Sequence, residues 1–369
     1  MKSRKIVVLV SNDLEFDQRV AKVCETLRGL NYAITLVGRK LPESRSFERP
    51  YEIVRFTLPF RRGALFYASL NIRLFFFLLF HPCDVILAND LDTLLPAYLV
   101  SRMRGKKLVY DSHEYFTEAE GLTGRSFQKN IWLRIERDIF PKLKYAYTVN
   151  ESIASIYREL YKVDVKVVRN MPRKSSPPQV TRSSKQLPED KTIFLLQGAY
   201  IDPDRGAAEA VEAMALVDNA LLLIIGSGRA LTDLKQIVST KSLQEKVWFF
   251  DKMPASELRE YTACADFGLS LDKPLHENYR LSLPNKLFDY IHAGIPVLVS
   301  ALPELERIIR TYQVGWIIDE ITPEKVAAAM MKAISSSDKA QFKANCLFAS
   351  EDLNWEKEEE VLRSIYATL

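Results

Sequence analysis

The chain has 369 residues, 47% of them apolar, and a formal net charge of only +4. That length suits two domains, and the composition excludes a disordered chain, which would combine low hydrophobicity with high net charge. The charge is unevenly placed: residues 1–170 hold 28 Lys and Arg against 19 Asp and Glu, whereas residues 171–369 hold 23 against 28.

A basic first half suits an anionic partner, such as a membrane surface or an acidic acceptor, or else marks ordinary solvated helix faces. Basic and aromatic residues are nowhere interleaved as in a base-stacking groove, so no nucleic-acid partner is expected. Cys24, Cys83, Cys264 and Cys346 are scattered, which reads as buried thiols in a reduced cytoplasmic chain. Neither a disulfide framework nor a zinc site has that spacing. The four histidines form no close pair, so no metal site is expected.

In chain order, Met1-Lys2-Ser3-Arg4-Lys5 runs into an apolar segment at 6–10. It is too short for a secretory signal and reads as a first strand. Ser11-Asn12-Asp13-Leu14 follows, where a dinucleotide enzyme would carry Gly-x-Gly-x-x-Gly, so an oxidoreductase is disfavoured. Helical spacing of Val20, Val23, Cys24, Leu27 and Leu30 predicts a helix beginning near Asp17. Further strands are predicted at 33–37, 84–88, 107–110, 145–149 and 165–168. Residues 74–80 are the greasiest segment, closed by His81-Pro82. Being far short of a bilayer span of ~20 residues, they read as a buried helix, with a membrane-lying face as the alternative.

Strands alternating with helices predict a parallel, doubly wound sheet, because parallel neighbours need a crossover. Residues 171–191, with Pro172, Pro177, Pro178 and Pro188, read as a linker. The rhythm then restarts, with strands predicted at 193–197, 220–225, 247–250, 267–271, 296–299 and 315–318. Two tandem Rossmann-like domains facing a central ligand cleft are therefore expected, 1–170 and 192–349.

Three loops of the second half carry the candidate chemistry. Ser282-Leu283-Pro284-Asn285-Lys286 can open a helix, with Ser282 as cap and Gly294 ending it. Free N–H groups and Lys286 would then meet an anion, and Asp289, three residues on, could accept from ribose hydroxyls. The alternative is a capped surface helix with an ordinary Lys/Asp pair. Gln197-Gly198-Ala199 through Arg205-Gly206 joins a strand to a predicted helix at 207–217. Gly198 would let a phosphate reach the backbone, and Arg205 could grip it. Gly226-Ser227-Gly228 follows another strand and can equally be a tight turn.

Together these segments resemble the retaining, GT-B type family-4 glycosyltransferases over most of the chain. Leu283-Pro284-Asn285-Lys286, Phe288-Asp289-Tyr290 and Ala293-Gly294-Ile295-Pro296-Val297 are similar to that family's donor helix. Asp17-Gln18-Arg19-Val20 and Asp84-Val85-Ile86 through Asp90 and Asp92 resemble its acceptor-side loops, and Val109-Tyr110-Asp111-Ser112-His113-Glu114 resembles its strand-end His motif. Asn150-Glu151-Ser152 and Arg169-Asn170 match as well.

The resemblance implies His113 as the catalytic residue beside the donor sugar, with Asp111 and Glu114 to orient it. It implies Gly198, Arg205, Gly226, Asn285, Lys286 and Asp289 as donor-binding residues. Asp17, Arg19, Asp90, Asp92 and Glu114 would lie on the acceptor side. The implied reaction moves a hexosyl residue from a nucleotide-diphosphate sugar to a sugar or lipid-linked glycan, with retention and no metal or other cofactor. The implied setting is cytoplasmic, peripheral at the inner membrane face through the basic first domain. Residues 350–369 would carry a closing helix, at about 355–366, on the first domain. Two positions depart from the pattern: Leu281 stands where the family carries an acid, and Ala199 where it carries a base. The alternatives are a nucleotide-sugar epimerase of the same architecture and a donor-binding subunit without turnover.

Overall fold

Runs such as Ala-Leu-Leu-Leu-Ile-Ile-Gly at 220–226 are buried along their whole length. Only a sheet covered on both faces has room for such strands. The computed structural model describes residues 3–15 and 17–369, which divide into two units: Met1–Asn170 with Glu358–Leu369, and Met171–Lys357.

The first unit holds seven strands: β1 (Arg4–Leu9), β2 (Tyr32–Lys40), β3 (Glu52–Thr57), β4 (Val85–Asn89), β5 (Lys107–Ser112), β6 (Tyr145–Thr148) and β7 (Val165–Val167). They pair in parallel in the order β3-β2-β1-β4-β5-β6-β7. The order reverses beside β1, and ligands of such sheets sit beyond the C-terminal strand ends near that point. Strand β3 was not expected. Its Glu-Ile-Val-Arg-Phe-Thr sequence buries only Phe56 fully, since an edge strand has one neighbour to cover it.

The second unit holds β8 (Thr192–Gly198), β9 (Ala220–Gly226), β10 (Val247–Phe250), β11 (Phe267–Ser270), β12 (Val297–Ser300) and β13 (Gly315–Ile318). These are ordered β10-β9-β8-β11-β12-β13, again all parallel. A core cluster lies on each side of this sheet, one around Phe194, Met214 and Met330, the other around Leu195, Tyr290 and Leu353.

Three expectations change. Residues 171–191 are not a free linker: Met171 and Leu187 are buried in the second core, and Arg182 pairs with Asp266 at 2.6 Å. The greasy segment is one part of a longer helix, Gly63–Phe80, whose apolar length is only partly buried. Arg73 lies within that helix, its guanidinium over the Phe56 ring. The closing helix, expected at about 355–366, runs Trp355–Ala367, but the segment that joins the first unit is Glu358–Leu369 rather than 350–369. All four cysteines are free and buried.

Candidate functional site

In the first unit the register fixes the site. Asn89 and Asp111 are paired across β4 and β5, so the residues that follow, Asp90 and His113, leave the sheet side by side. The His113 N–H donates to Asp90 Oδ1 at 2.8 Å. Its ring Nε2 lies 3.1 Å from Asn89 Oδ1 and 3.2 Å from Asp111 Oδ2, while Nδ1 is 3.5 Å from Asp90 Oδ2. Asn89 Nδ2 donates to Leu9 O, so its oxygen faces the ring. Both partners of Nε2 are then acceptors, and Nε2 carries the proton. Nδ1 is the ring atom that faces Asp90.

Burial opposes charge on His113, but Asp90 and Asp111 outweigh it and push the imidazolium up to about 9. Burial raises Asp90 to about 7 against the pull of His113, and raises Asp92 to about 6. Asp111 is lowered: burial is overcome by Arg19 and His113. Asp90 also has φ +60°, a conformation costing ~1–3 kcal/mol for a non-glycine residue. Its N–H donation to Asp111 O at 2.8 Å helps to hold it there.

Not every acceptor-side residue faces outward. Arg19 is buried: it grips Asp111 through Nε at 3.0 Å and Nη2 at 2.7 Å, and donates from Nη1 to Val168 O. It is a prop beneath His113, not the acceptor contact expected of it. Asp17 caps the helix Gln18–Gly29, accepting from Val20 N–H at 3.0 Å and from Asn12 Nδ2 at 2.6 Å. Asp92 lies in the first turn of the helix Leu91–Arg104, and the half-buried Glu114 adds negative charge that helps to raise both Asp90 and Asp92.

In the second unit Arg205 and Lys286, from different elements, converge on one carboxylate. Asp272, fully buried just past β11, receives Arg205 Nη1 at 2.6 Å and Lys286 Nζ at 3.3 Å, and accepts from Ser270 Oγ at 3.1 Å. Burial alone would raise Asp272, but the two cations lower it. Lys286 is itself lowered, chiefly by burial. Gly206 explains how Arg205 gets there. At φ +68°, a Cβ on it would stand 2.3 Å from Leu271 O, so only glycine lets this turn press against the end of β11.

Arg205 also lies over the Tyr279 ring, 4.7 Å from its centroid. Asp289 accepts from Gln197 Nε2 at 3.1 Å, and Gln197 Oε1 accepts from Thr262 Oγ1 at 2.8 Å. Lys286 and Asp289 therefore each meet a partner on another element, unlike an ordinary surface pair.

The helix starts at Asn285, with Pro284 at its cap position. Ser282 is not the cap: its hydroxyl donates back to Tyr279 O. Asn285 is exposed in the first turn. The glycines divide. A Cβ on Gly226 would stand 2.0 Å from Gly198 O, so backbone packing alone requires it. A Cβ on Gly198 would be in ordinary contact, 3.6 Å from Tyr200 O, so packing does not require glycine there. Leu281 is buried and Ala199 exposed, while Glu277 is paired with Arg280.

Asn89 and Asp272 escaped the sequence reading. Both lie at C-terminal strand ends, and that position was the available signal. No group of three or more His, Cys, Asp or Glu is placed to hold a metal among the described residues.

Residues 18–171 match the family model Glycosyltransferase Family 4, and residues 179–345 match the model Glycosyl transferases group 1. On a pair of doubly wound sheets, these matches place the chain among the glycosyltransferases of GT-B type. The lipopolysaccharide core biosynthesis glycosyltransferase LpsD of Rhizobium meliloti (strain 1021) is 28% identical over 102 residues, 27% of this chain and 29% of that protein's length. Sucrose-phosphate synthase from Thermosynechococcus elongatus shares the fold with a TM-score of 0.78 at 16% identity, over 99% of this chain and 98% of its own. Anabaena HepE in complex with UDP-glucose does so with a TM-score of 0.76 at 13% identity, over 99% and 100%.

Proposed function

We propose that the protein transfers a hexosyl residue from a nucleotide-diphosphate sugar to a sugar or lipid-linked glycan, with retention at the anomeric carbon. The observation that carries this reading is the convergence of Arg205 and Lys286 on Asp272 beside a helix N-terminus. Two cations on one buried anion leave a net positive charge at the strand ends, already in place before a ligand arrives. A diphosphate leaving group needs that field as negative charge develops on it, and a fixed field requires little reorganisation. Gly198 leaves room for phosphate at the backbone, and Asp289, oriented by Gln197, accepts from ribose hydroxyls. The UDP-glucose bound to HepE, a protein of the same fold, supports a uridine nucleotide donor.

His113 stands beside the sugar. Protonated on Nε2 toward Asn89 and Asp111, it offers Nδ1, with Asp90, to a hydroxyl of donor or acceptor. Positioning and charge stabilisation, with no divalent cation, then supply the catalysis. The work is done in the cytoplasm, peripherally at the inner membrane face. Incubation with UDP-, GDP- and ADP-hexoses and a panel of lipid-linked glycans tests the proposal. Glycan-dependent release of nucleoside diphosphate is expected, with the anomeric configuration of the product read by NMR. Epimerised nucleotide sugar formed without acceptor would refute it, as would no turnover with any pair.

A further inference from the structure

The helix Gly63–Phe80 carries an apolar face that its own unit leaves uncovered. Leu70, Leu74 and Leu78 are buried, while Leu65, Ile72, Phe76 and Phe80 are between 54% and 78% exposed. At 100° per residue these sets lie on opposite sides of the helix. An exposed apolar stripe of this length is unusual on a soluble monomer. Its chemistry is one-signed: residues 53–83 contain no Asp or Glu, but do contain Arg55, Arg61, Arg62 and Arg73.

Beside the start of the helix is a cavity of about 200 Å³, lined by Arg39, Lys40, Thr57, Phe60 and Arg61 among others. Arg39 Nη1 donates to Arg61 O at 3.3 Å, and its Nε is buried without a hydrogen-bond partner among the described residues. A buried guanidinium N–H left unpaired is costly, and Arg39, Lys40 and Arg61 line this cavity with positive charge.

We infer that this face lies on an anionic lipid bilayer, with Leu65, Ile72, Phe76 and Phe80 in the acyl boundary and a headgroup phosphate in the Arg39–Lys40–Arg61 cavity. A helix that is apolar on one side and rimmed by arginine binds in the interface plane by area and charge together. A second copy of this chain fits less well, because its equivalent face would bring the same positive charges together. The inference deepens the peripheral-membrane part of the function above and rests on it.

The test is co-sedimentation of the full chain with vesicles of phosphatidylcholine alone or mixed with phosphatidylglycerol. Binding to the mixed vesicles is expected, weakening as salt rises. Ile72→Asp with Phe76→Asp should abolish it. Arg61→Glu with Arg62→Glu should cost about fivefold or more for each site, on the mixed vesicles only. Calorimetry with UDP on the same variants separates the outcomes, since these residues lie outside the donor unit. Unchanged nucleotide binding with lost vesicle binding supports the inference. Wild-type protein that stays in the supernatant with mixed vesicles overturns it. So does an aspartate variant that pellets like wild type. Concentration-dependent dimers that the aspartates abolish, without vesicle binding, would also overturn it and assign the face to self-association.

Discussion

Replacing Asp272 with Asn keeps the shape of the side chain and removes the one carboxylate that Arg205 and Lys286 share. Breaking a buried ion pair from one side costs about 3–5 kcal/mol when the stranded charge is sealed from water. Here Arg205 is 26% and Lys286 10% exposed, so water recovers part of that loss. A destabilisation of about 2–3 kcal/mol is expected, corresponding to a Tm shift of roughly 4–12 °C for a unit of this size. Urea unfolding followed by tryptophan fluorescence is the assay, because Trp248, Trp316 and Trp355 lie in the second unit and only Trp132 in the first. The ion-pair account also requires coupling: in a Lys286→Met background, Asp272→Asn should cost at least about 0.5 kcal/mol less than in wild type. Equal costs in the two backgrounds, or a cost below about 0.5 kcal/mol in wild type, would refute the shared-anion reasoning. The pH dependence gives a second check. Asp272 is depressed in the folded chain, so its contribution is present above its unfolded value of ~3.9 and lost as pH falls through the folded one.

His113→Gln should remove a contribution of the opposite sign. The histidine is raised to about 9 when folded, so its stabilisation is complete below ~6.5 and lost as pH rises through 9. The Tm difference between variant and wild type should therefore shrink between pH 6 and pH 9.5, and a constant difference would contradict the imidazolium assignment. Asp289→Asn should weaken nucleotide binding by roughly 1–3 kcal/mol in calorimetry, for bare nucleoside and diphosphate alike. Lys286→Met should weaken only the diphosphate, and equal losses for both ligands would mean that Lys286 does not serve the phosphates. Turnover should be unchanged in EDTA; activity that vanishes and returns with magnesium or manganese would show a metal requirement.

Much of the fold was legible because a buried parallel strand needs an unbroken apolar run, and β8, β9 and β12 have one. The edge strand β3 was not, since Glu52 and Arg55 interrupt it and leave no apolar run to read. At the site, periodicity and end signals found the helix after Asn285, and topology then supplied what spacing could not. Nothing local in the sequence joins Asp272 to Lys286, fourteen positions later, or Arg19 to Asp111, ninety-two positions later. Both pairs exist because each helix starts at the C-terminal edge of its parallel sheet, where the carboxylate also lies. The helix Gly63–Phe80 misled for a different reason. Composition measures how apolar a segment is, but the number of neighbours available to cover it is a property of the whole unit.

The discontinuous first unit bears on how the chain is made. Its sheet is complete by Val167, yet Glu358 accepts from Arg169 N–H and Nε, both at 2.7 Å, and Tyr366 is buried with its ring 5.9 Å from that of Tyr32. Those partners are translated after the whole of the second unit. During synthesis the N-terminal sheet must therefore persist with Tyr32 uncovered and Arg169 unpaired while every strand of the second unit is being made. The second unit is continuous from Met171 to Lys357. The unit that starts first is thus completed only after the second has been made, and a truncation before Glu358 would damage the N-terminal unit rather than the one next to it in sequence.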